Sequence, residues 1–273
     1  MKISAVILTK NEEKNIEGCL KSVSFCDEII VVDDESTDKT LELIQKLKVK
    51  SQNYKSKVKI FQRKLNNDFA SQRNFGLEKA INDWVLFVDA DETISLKLRQ
   101  QILSLVTLRV TEAYYIKRRD YFWGKELKYG ETKKVRDQGI VRLVKKGSGK
   151  WMGTVHEVFY TASKIGNLDG YINHYPHQTL KEFINAVNYY SSIRAEELFN
   201  QEVRTNVFQI IFYPFLKFIY NYFILLGFFD GPTGFVYSFM MSFHSFLVRA
   251  KLYQLSHLSS RGPASRRGRS DLF

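Results

Sequence analysis

The chain begins with a short apolar run at residues 3–8 (ISAVIL), rich in β-branched side chains and stopped at Thr9-Lys10-Asn11. Ile16, Leu20 and Val23 follow at helical spacing, and a second apolar run at 28–32 (EIIVV) ends on Asp33-Asp34-Glu35-Ser36-Thr37-Asp38. The alternation then repeats. Leu41, Leu43, Ile44 and Leu47 mark a helix, 58–61 a strand, 69–80 a helix, and 84–88 a strand stopped by Asp89-Ala90-Asp91. Short apolar runs between amphipathic stretches predict βαβ units, and so a mostly parallel α/β sheet with right-handed crossovers. Ligands gather at the carboxyl ends of such strands, where both acidic clusters fall.

After residue 110 the pattern changes. Alternating, aromatic-rich segments at 113–122, 138–145, 155–160 and 165–175, separated by glycine-bearing turns, predict antiparallel strands. Residues 179–200 read as a helix capped by Thr179 ahead of Glu182. Residues 207–229 are long enough to span a bilayer but contain Pro214, Lys217 and Asn221. Within 234–255, Ser238, Ser242, Ser245 and Arg249 share a face opposite Phe239, Met240, Phe243 and Phe246. Two amphipathic helices lying in a membrane interface are expected, the alternative being a helical hairpin buried inside a soluble protein. The last stretch, SSRGPASRRGRSDLF, is small, basic and broken by Gly and Pro, and is expected to be disordered. The expected organisation is one domain over 1–200, with a first half to 110 and a second from 111. Membrane-associated helices at 201–257 and a tail at 258–273 follow.

Composition narrows the class. With 44% hydrophobic and 26% charged residues, 21 Phe and 15 Tyr, the 273-residue chain is globular rather than disordered. A net charge of +12 suits anionic partners, and from residue 201 onward eight Lys/Arg oppose three Asp/Glu, which favours an anionic membrane surface. Cys19 and Cys26 have neither CxxC spacing nor nearby His, and read as reduced thiols. The N-terminal apolar run is too short for a signal peptide and lacks a cleavage site, so a cytoplasmic location is expected. No GxGxxG follows a strand, and GxxxxGK[ST], GxSxG and HExxH are absent, as are base-stacking aromatics in the basic tail. Nucleic acid is therefore not an expected partner.

Asp89 and Asp91, two residues apart beyond a buried strand, can converge on one hard cation and leave positions for water and phosphate oxygens. Such a cation would neutralise charge growing on a diphosphate leaving group, although acidic residues are also common in βα loops. Glu12, Asp33 and Asp34 place carboxylates on neighbouring loops, where they can accept from a base N–H or ribose hydroxyls. Capping accounts for Asp38 but not for Asp33 or Asp34. Arg73, near a helix start, can hold phosphate or form a surface salt bridge. His156-Glu157 sets a carboxylate beside an imidazole in an apolar strand, either as a functional pair or as a solvent-facing Glu with a satisfied His.

The segments ISAVILTKNEEKNIEGCLKSV, DEIIVVDDESTDKT and SQRNFGLEKAINDWVLFVDADE, in that order, resemble the family 2 glycosyltransferases. YFWGKELKYG, GIVRLVKKG, Val155-His156-Glu157 and LGFFDGPTGFVYSFMMSFHSFLVRAKL add a similarity to lipopolysaccharide core glycosyltransferases of the WaaE (KdtX) type, over roughly residues 1–255. The resemblance implies a GT-A fold: a Rossmann-like, mostly parallel sheet with helices on both faces and a small antiparallel part. It implies a nucleotide-sugar donor, such as UDP-glucose, held by Thr9, Glu12, Asp33, Asp34, Arg73 and Asp89. It also implies Mg²⁺ or Mn²⁺ on Asp89 and Asp91, with Asp91 the more direct, and inversion by a single in-line displacement. The usual Glu-Asp pair before QxxRW has no counterpart because QxxRW is absent, which argues against a processive synthase. Glu157 is the candidate base, with Thr179–Asn200 a helix over the acceptor cleft. The implied acceptor is a lipid-linked or lipopolysaccharide-core saccharide at the cytoplasmic face of the inner membrane. Polyprenyl phosphate or a protein glycan is the alternative, and a non-catalytic membrane-binding module would require the acidic clusters to be missing.

Overall fold

Strand β1 (Ile3–Thr9) is buried along its whole length and pairs in parallel with β2 (Glu28–Asp33) on one side and β4 (Trp84–Asp89) on the other. A strand covered on both faces needs apolar side chains at every position, which is why these runs do not alternate. Its side chains divide by parity. Ile3, Ala5 and Ile7 join one core layer with helices α1 (Ile16–Ser22), α2 (Thr40–Lys50) and, further on, α5 (Leu96–Ser104). Val6 and Leu8 join the other, with α4 (Phe69–Lys79). A short helix α3 (Gln52–Lys57) leads into β3 (Val58–Gln62), which pairs with β2. The computed structural model describes residues 2–50, 52–105, 111–153 and 157–260.

The remaining strands complete one mixed sheet in the order β3-β2-β1-β4-β8-β6-β11-β5, with β7 (Lys125–Leu127) on β6 beside this path. Here β5 is Glu92–Ile94, β6 Ala113–Phe122, β8 Ile140–Lys145 and β11 Ile165–His174. Strands β9 (Gly149–Met152) and β10 (Val158–Thr161) form a separate hairpin whose Trp151 and Phe159 enter the core layer of α4. Strand β8 is antiparallel to β4 and β6 as expected, but β11 runs parallel to β6. One edge of β6 is already taken by β8, and β11 reaches the other edge running in β6's own direction. Val155 and His156, expected in the third of these strands, lie outside the described residues. Strand β5 and helix α5 were not anticipated, since a three-residue strand is too short to set a period.

The chain divides into two compact units, Met1–Glu126 with Lys134–Pro176, and Leu127–Lys133 with His177–Phe273. The boundary falls at Pro176 rather than near 200. Helix α7 (Leu180–Asn200), with the expected Thr179–Glu182 capping box, belongs with the second unit. There Phe183 meets Tyr237, and Ala195 and Leu198 cluster with Val248 and Leu252. Helix α6 spans Lys133–Gln138, nearly all of it in the first unit. The apolar segment from 207 is not one helix. Helix α8 (Val207–Ile219) continues as a π turn at Tyr220–Ile224, Leu226 adopts a left-handed conformation, and a 3-10 turn at Gly227–Asp230 leads into α9 (Gly231–Ser260).

Candidate active site

Parallel pairing aligns three strand ends. Thr9 of β1 lies opposite Asp33 of β2, and Leu8 lies opposite Asp89 of β4. Thr9, Asp33 and Asp89 are each the last residue of their strand, so the sheet itself brings the predicted groups to one edge. Thr9 is 5% exposed, and its hydroxyl has no hydrogen-bond partner among the described residues. That leaves a buried polar atom beside Asp33 for a ligand to satisfy.

Asp33 and Asp34 both have local partners that the spacing did not disclose. Asp33 accepts from the Ser36 N–H at 3.0 Å and the Ser36 hydroxyl at 2.5 Å, fixing the loop after β2. Asp34 accepts from the Leu65 N–H at 2.8 Å and from Lys10 Nζ at 2.6 Å, joining three loops. Asn11, at φ +54°, accepts from the Thr37 N–H at 2.7 Å, and Glu12 donates its N–H to the Thr40 hydroxyl at 2.7 Å. The loops after β1 and β2 are therefore tied together by side chains. Glu12 itself accepts from Asn15 Nδ2 at 2.7 Å. Burial, and then the nearby negative Asp91, push its carboxyl up to about 7.

Arg73 is not on the surface. One turn into α4, after Asp68 caps the helix by accepting from the Ser71 N–H, the side chain is 3% exposed and lies over the Trp151 ring at 5.2 Å. Its Nε donates to Glu157 Oε1 at 2.8 Å, and one Nη donates to both oxygens of Asp89 at 3.0 and 3.2 Å. Asp89 is also held by Arg142 at 2.6 Å. Burial opposes charge on Asp89, but Arg142 and Arg73 outweigh it and hold the carboxyl well below the usual range. Both oxygens of Asp89 are thus occupied by guanidinium groups.

Asp91 is held differently. His174 Nε2 lies 3.2 Å from its Oδ2, and His174 Nδ1 lies 2.6 Å from Asp120 Oδ1. Burial and Arg118 oppose charge on His174, yet Asp91 and Asp120 prevail and push it up to about 9. Burial likewise raises Asp91, but His174 keeps its carboxyl below the usual range. Asp120 pairs with Arg118 at 3.0 Å, while Glu92, fully buried, accepts from Arg142 at 3.1 Å and from the Asp89 N–H at 2.9 Å. Strand register builds this cluster, because His174 is opposite Asp120 in β6 and opposite Glu92 in β5. An irregularity between Leu168 and Tyr171 sets that register.

Arg142, Glu92, His174, Asp120 and Arg118 were missed from the sequence. The available signal was Arg142, a single charge inside the apolar run IVRLV, since a strand that is 4% exposed at such a residue must pair it. Among the described residues no group of three or more His, Cys, Asp or Glu is arranged to hold a metal ion. Both oxygens of Asp89 are committed to arginines, which leaves Asp91, of the expected pair, as the candidate ligand. Asp91 would supply the hard anionic oxygen, with diphosphate oxygens and water completing the shell.

Residues 4–153 match the family model described as Glycosyl transferase family 2. The chain belongs to that family. It is a glycosyltransferase with the family's GT-A-like α/β fold. It is 30% identical to the lipopolysaccharide core biosynthesis glycosyltransferase LpsC of Rhizobium meliloti, over 95% of this chain and 94% of the relative. It is 32% identical to an uncharacterized glycosyltransferase of Rickettsia typhi, over 95% of this chain and 89% of the relative. In three dimensions it is similar to the crystal structure of S. aureus TarS 1–349 in complex with UDP-GlcNAc. That likeness has a TM-score of 0.48 at 18% identity, covering 95% of this chain and 87% of TarS.

Proposed function

We propose that this glycosyltransferase moves a hexose, with inversion, from a UDP-sugar such as UDP-glucose to a lipopolysaccharide-core or other lipid-linked saccharide, at the cytoplasmic face of the inner membrane. The observation that carries the chemistry is the single guanidinium of Arg73 shared by Glu157 and Asp89. It ties a candidate base to the acidic motif through one rigid, buried group. The 30% identity with LpsC over 95% of this chain supports the acceptor class.

In this reading Thr9, Glu12 and Asp33 hold the nucleoside, with Asp34 bracing the loops around it. Asp91 would hold Mg²⁺ or Mn²⁺, which when bound offsets charge on the departing diphosphate. Glu157, oriented by Arg73, removes the proton from the attacking acceptor hydroxyl. The bond from oxygen to the anomeric carbon forms as the bond from that carbon to the diphosphate oxygen breaks. The buried cations Arg73 and Arg142 supply fixed positive charge where negative charge accumulates, with no reorganisation needed during the step. Asp89 keeps those two arginines in place.

The test is transfer by the purified full-length protein from a panel of nucleotide sugars, with Mn²⁺ or Mg²⁺, to truncated lipopolysaccharide cores and to polyprenyl phosphate. A UDP-hexose and a core acceptor should give product with inverted anomeric configuration. Transfer only to polyprenyl phosphate, or retention of configuration, would overturn the reading.

A further inference from the structure

The second unit places its polar and apolar residues in opposite senses on two neighbouring helices. Helix α7 buries Phe183, Val187 and Leu198 and exposes Lys181, Asn188 and Glu196, together with Leu180, Ile184, Tyr189 and Tyr190. Helix α8 is reversed. Phe208, Phe212 and Phe215 are 72%, 52% and 59% exposed, whereas Asn221 in the following π turn is 1% exposed. Lys217 turns to Glu131 at 2.9 Å, and Asn221 Nδ2 donates to the other oxygen of Glu131 at 3.3 Å. On α9, Ser238 and Ser242 are buried and the Ser242 hydroxyl donates to the Pro214 carbonyl at 2.6 Å, while Phe235, Phe239 and Phe246 point outward. From 207 to 246, sixteen large apolar side chains are exposed, far more than isolated surface residues would give. Small and polar groups between helices, with aromatics outside, is the arrangement that a lipid surrounding selects.

Length alone would allow α8 and its π turn, 18 residues or about 27 Å, to cross the hydrocarbon. The packing of α7 decides otherwise. Tyr213 against Arg249 and Phe218 against Phe235 set α8 antiparallel to α9. Phe183 against Tyr237 and Ser191 against Lys251 set α7 beside the same stretch of α9. A crossing hairpin would carry Asn188, Glu196 and the rest of α7's polar face into hydrocarbon with it. We infer that the α8–α9 face lies flat in one leaflet, axes along the membrane plane, with α7 on the water side, and that its partner is an anionic lipid surface. The charge agrees, since eight Lys/Arg oppose three Asp/Glu from residue 201 onward. This rests on the membrane placement proposed above and specifies its geometry.

The test uses full-length protein and vesicles without substrate. The protein should sediment with phosphatidylglycerol-containing vesicles and much less with phosphatidylcholine alone. The double variant Phe212→Glu/Phe239→Glu should lower partitioning by roughly tenfold or more while leaving UDP affinity and transfer to a water-soluble core saccharide unchanged. Bimane at Phe208→Cys and at Ile224→Cys should be quenched by lipid-borne doxyl groups at the same depth, and bimane at Asn188→Cys by aqueous iodide. Ends of α8 at opposite surfaces would establish a spanning helix and overturn the inference. So would a soluble dimer that shields these positions without binding vesicles. Vesicle binding without any sugar transfer would instead leave the docking intact and remove the functional reading.

Discussion

Asp89 and Asp91 sit two residues apart, yet their surroundings give them different work. Asp89 neutralises two buried arginines, so Asp89→Asn should cost stability as well as activity. Asp91→Ala should lower turnover roughly a hundredfold or more, because its removal deprives the leaving group of a preorganised partner, and should also lower Tm, because His174 keeps only Asp120 as a carboxylate partner. Arg142→Gln would leave Asp89 to Arg73 alone and fully buried Glu92 with only the more distant Arg118, at a cost of about 3–5 kcal/mol, and should lower Tm on the order of 10 °C in thermal unfolding. Glu157→Gln should leave UDP affinity by calorimetry unchanged and depress kcat, with some loss of Tm because Arg73 loses one of its two carboxylate partners, whereas loss of UDP binding would make Glu157 a donor-site residue. Glu12 gives a pH prediction. Its folded pKa of about 7 lies above the usual carboxylate value, so the folded state binds the extra proton and stability falls as pH rises from about 4.5 through 7. In chelator-treated protein Glu12→Gln should flatten that decline and raise Tm at pH 8, and an unchanged pH profile would refute the assignment.

At the scale of elements, Arg73 reaches Glu157 and Asp89 because α4 lies very close to β1. A Cβ added to Gly76, one turn beyond Arg73, would stand 2.3 Å from Val6 Cγ1. Gly76→Ala should therefore push α4 outward, costing about 1–3 kcal/mol and weakening transfer together with stability. Wild-type Tm and kcat in that variant would mean Val6 yields freely. The loops after β1 and β2 are legible as functional from their acids, but not as a joined pair. The bonds between them are side chain to backbone across more than twenty residues, and no local spacing records those. The same holds for the cluster behind Asp91, which exists only because β11 enters parallel to β6 with an irregularity near Gly170.

For the whole molecule, the proposed function requires two surfaces, a donor site at the strand ends and the helical face proposed to lie on lipid. Added anionic vesicles should raise the rate on a lipid-linked acceptor several-fold, through confinement of enzyme and acceptor to one surface, and leave UDP affinity unchanged. High salt should reduce the vesicle effect, because attraction to headgroups is screened. Equal stimulation of a water-soluble acceptor would point to a conformational effect of lipid rather than confinement.

The sequence by itself determined the parallel core, the strand ends and the acids Asp33, Asp89 and Asp91, because burial on both faces demands unbroken apolar runs and their stops are local. It also marked 207–255 as largely helical and strongly apolar, which left a membrane-interface pair and a buried hairpin both open. Tertiary structure alone decided the partners of those acids. Arg142, His174 and Asp120 come from distant strands, and their meeting depends on register, which an apolar pattern leaves open. It likewise decided which way α8 faces. Gln209, Lys217 and Asn221 share a side whether that side looks toward water or toward a neighbouring helix, and only the position of Glu131 and α9 shows that it looks inward.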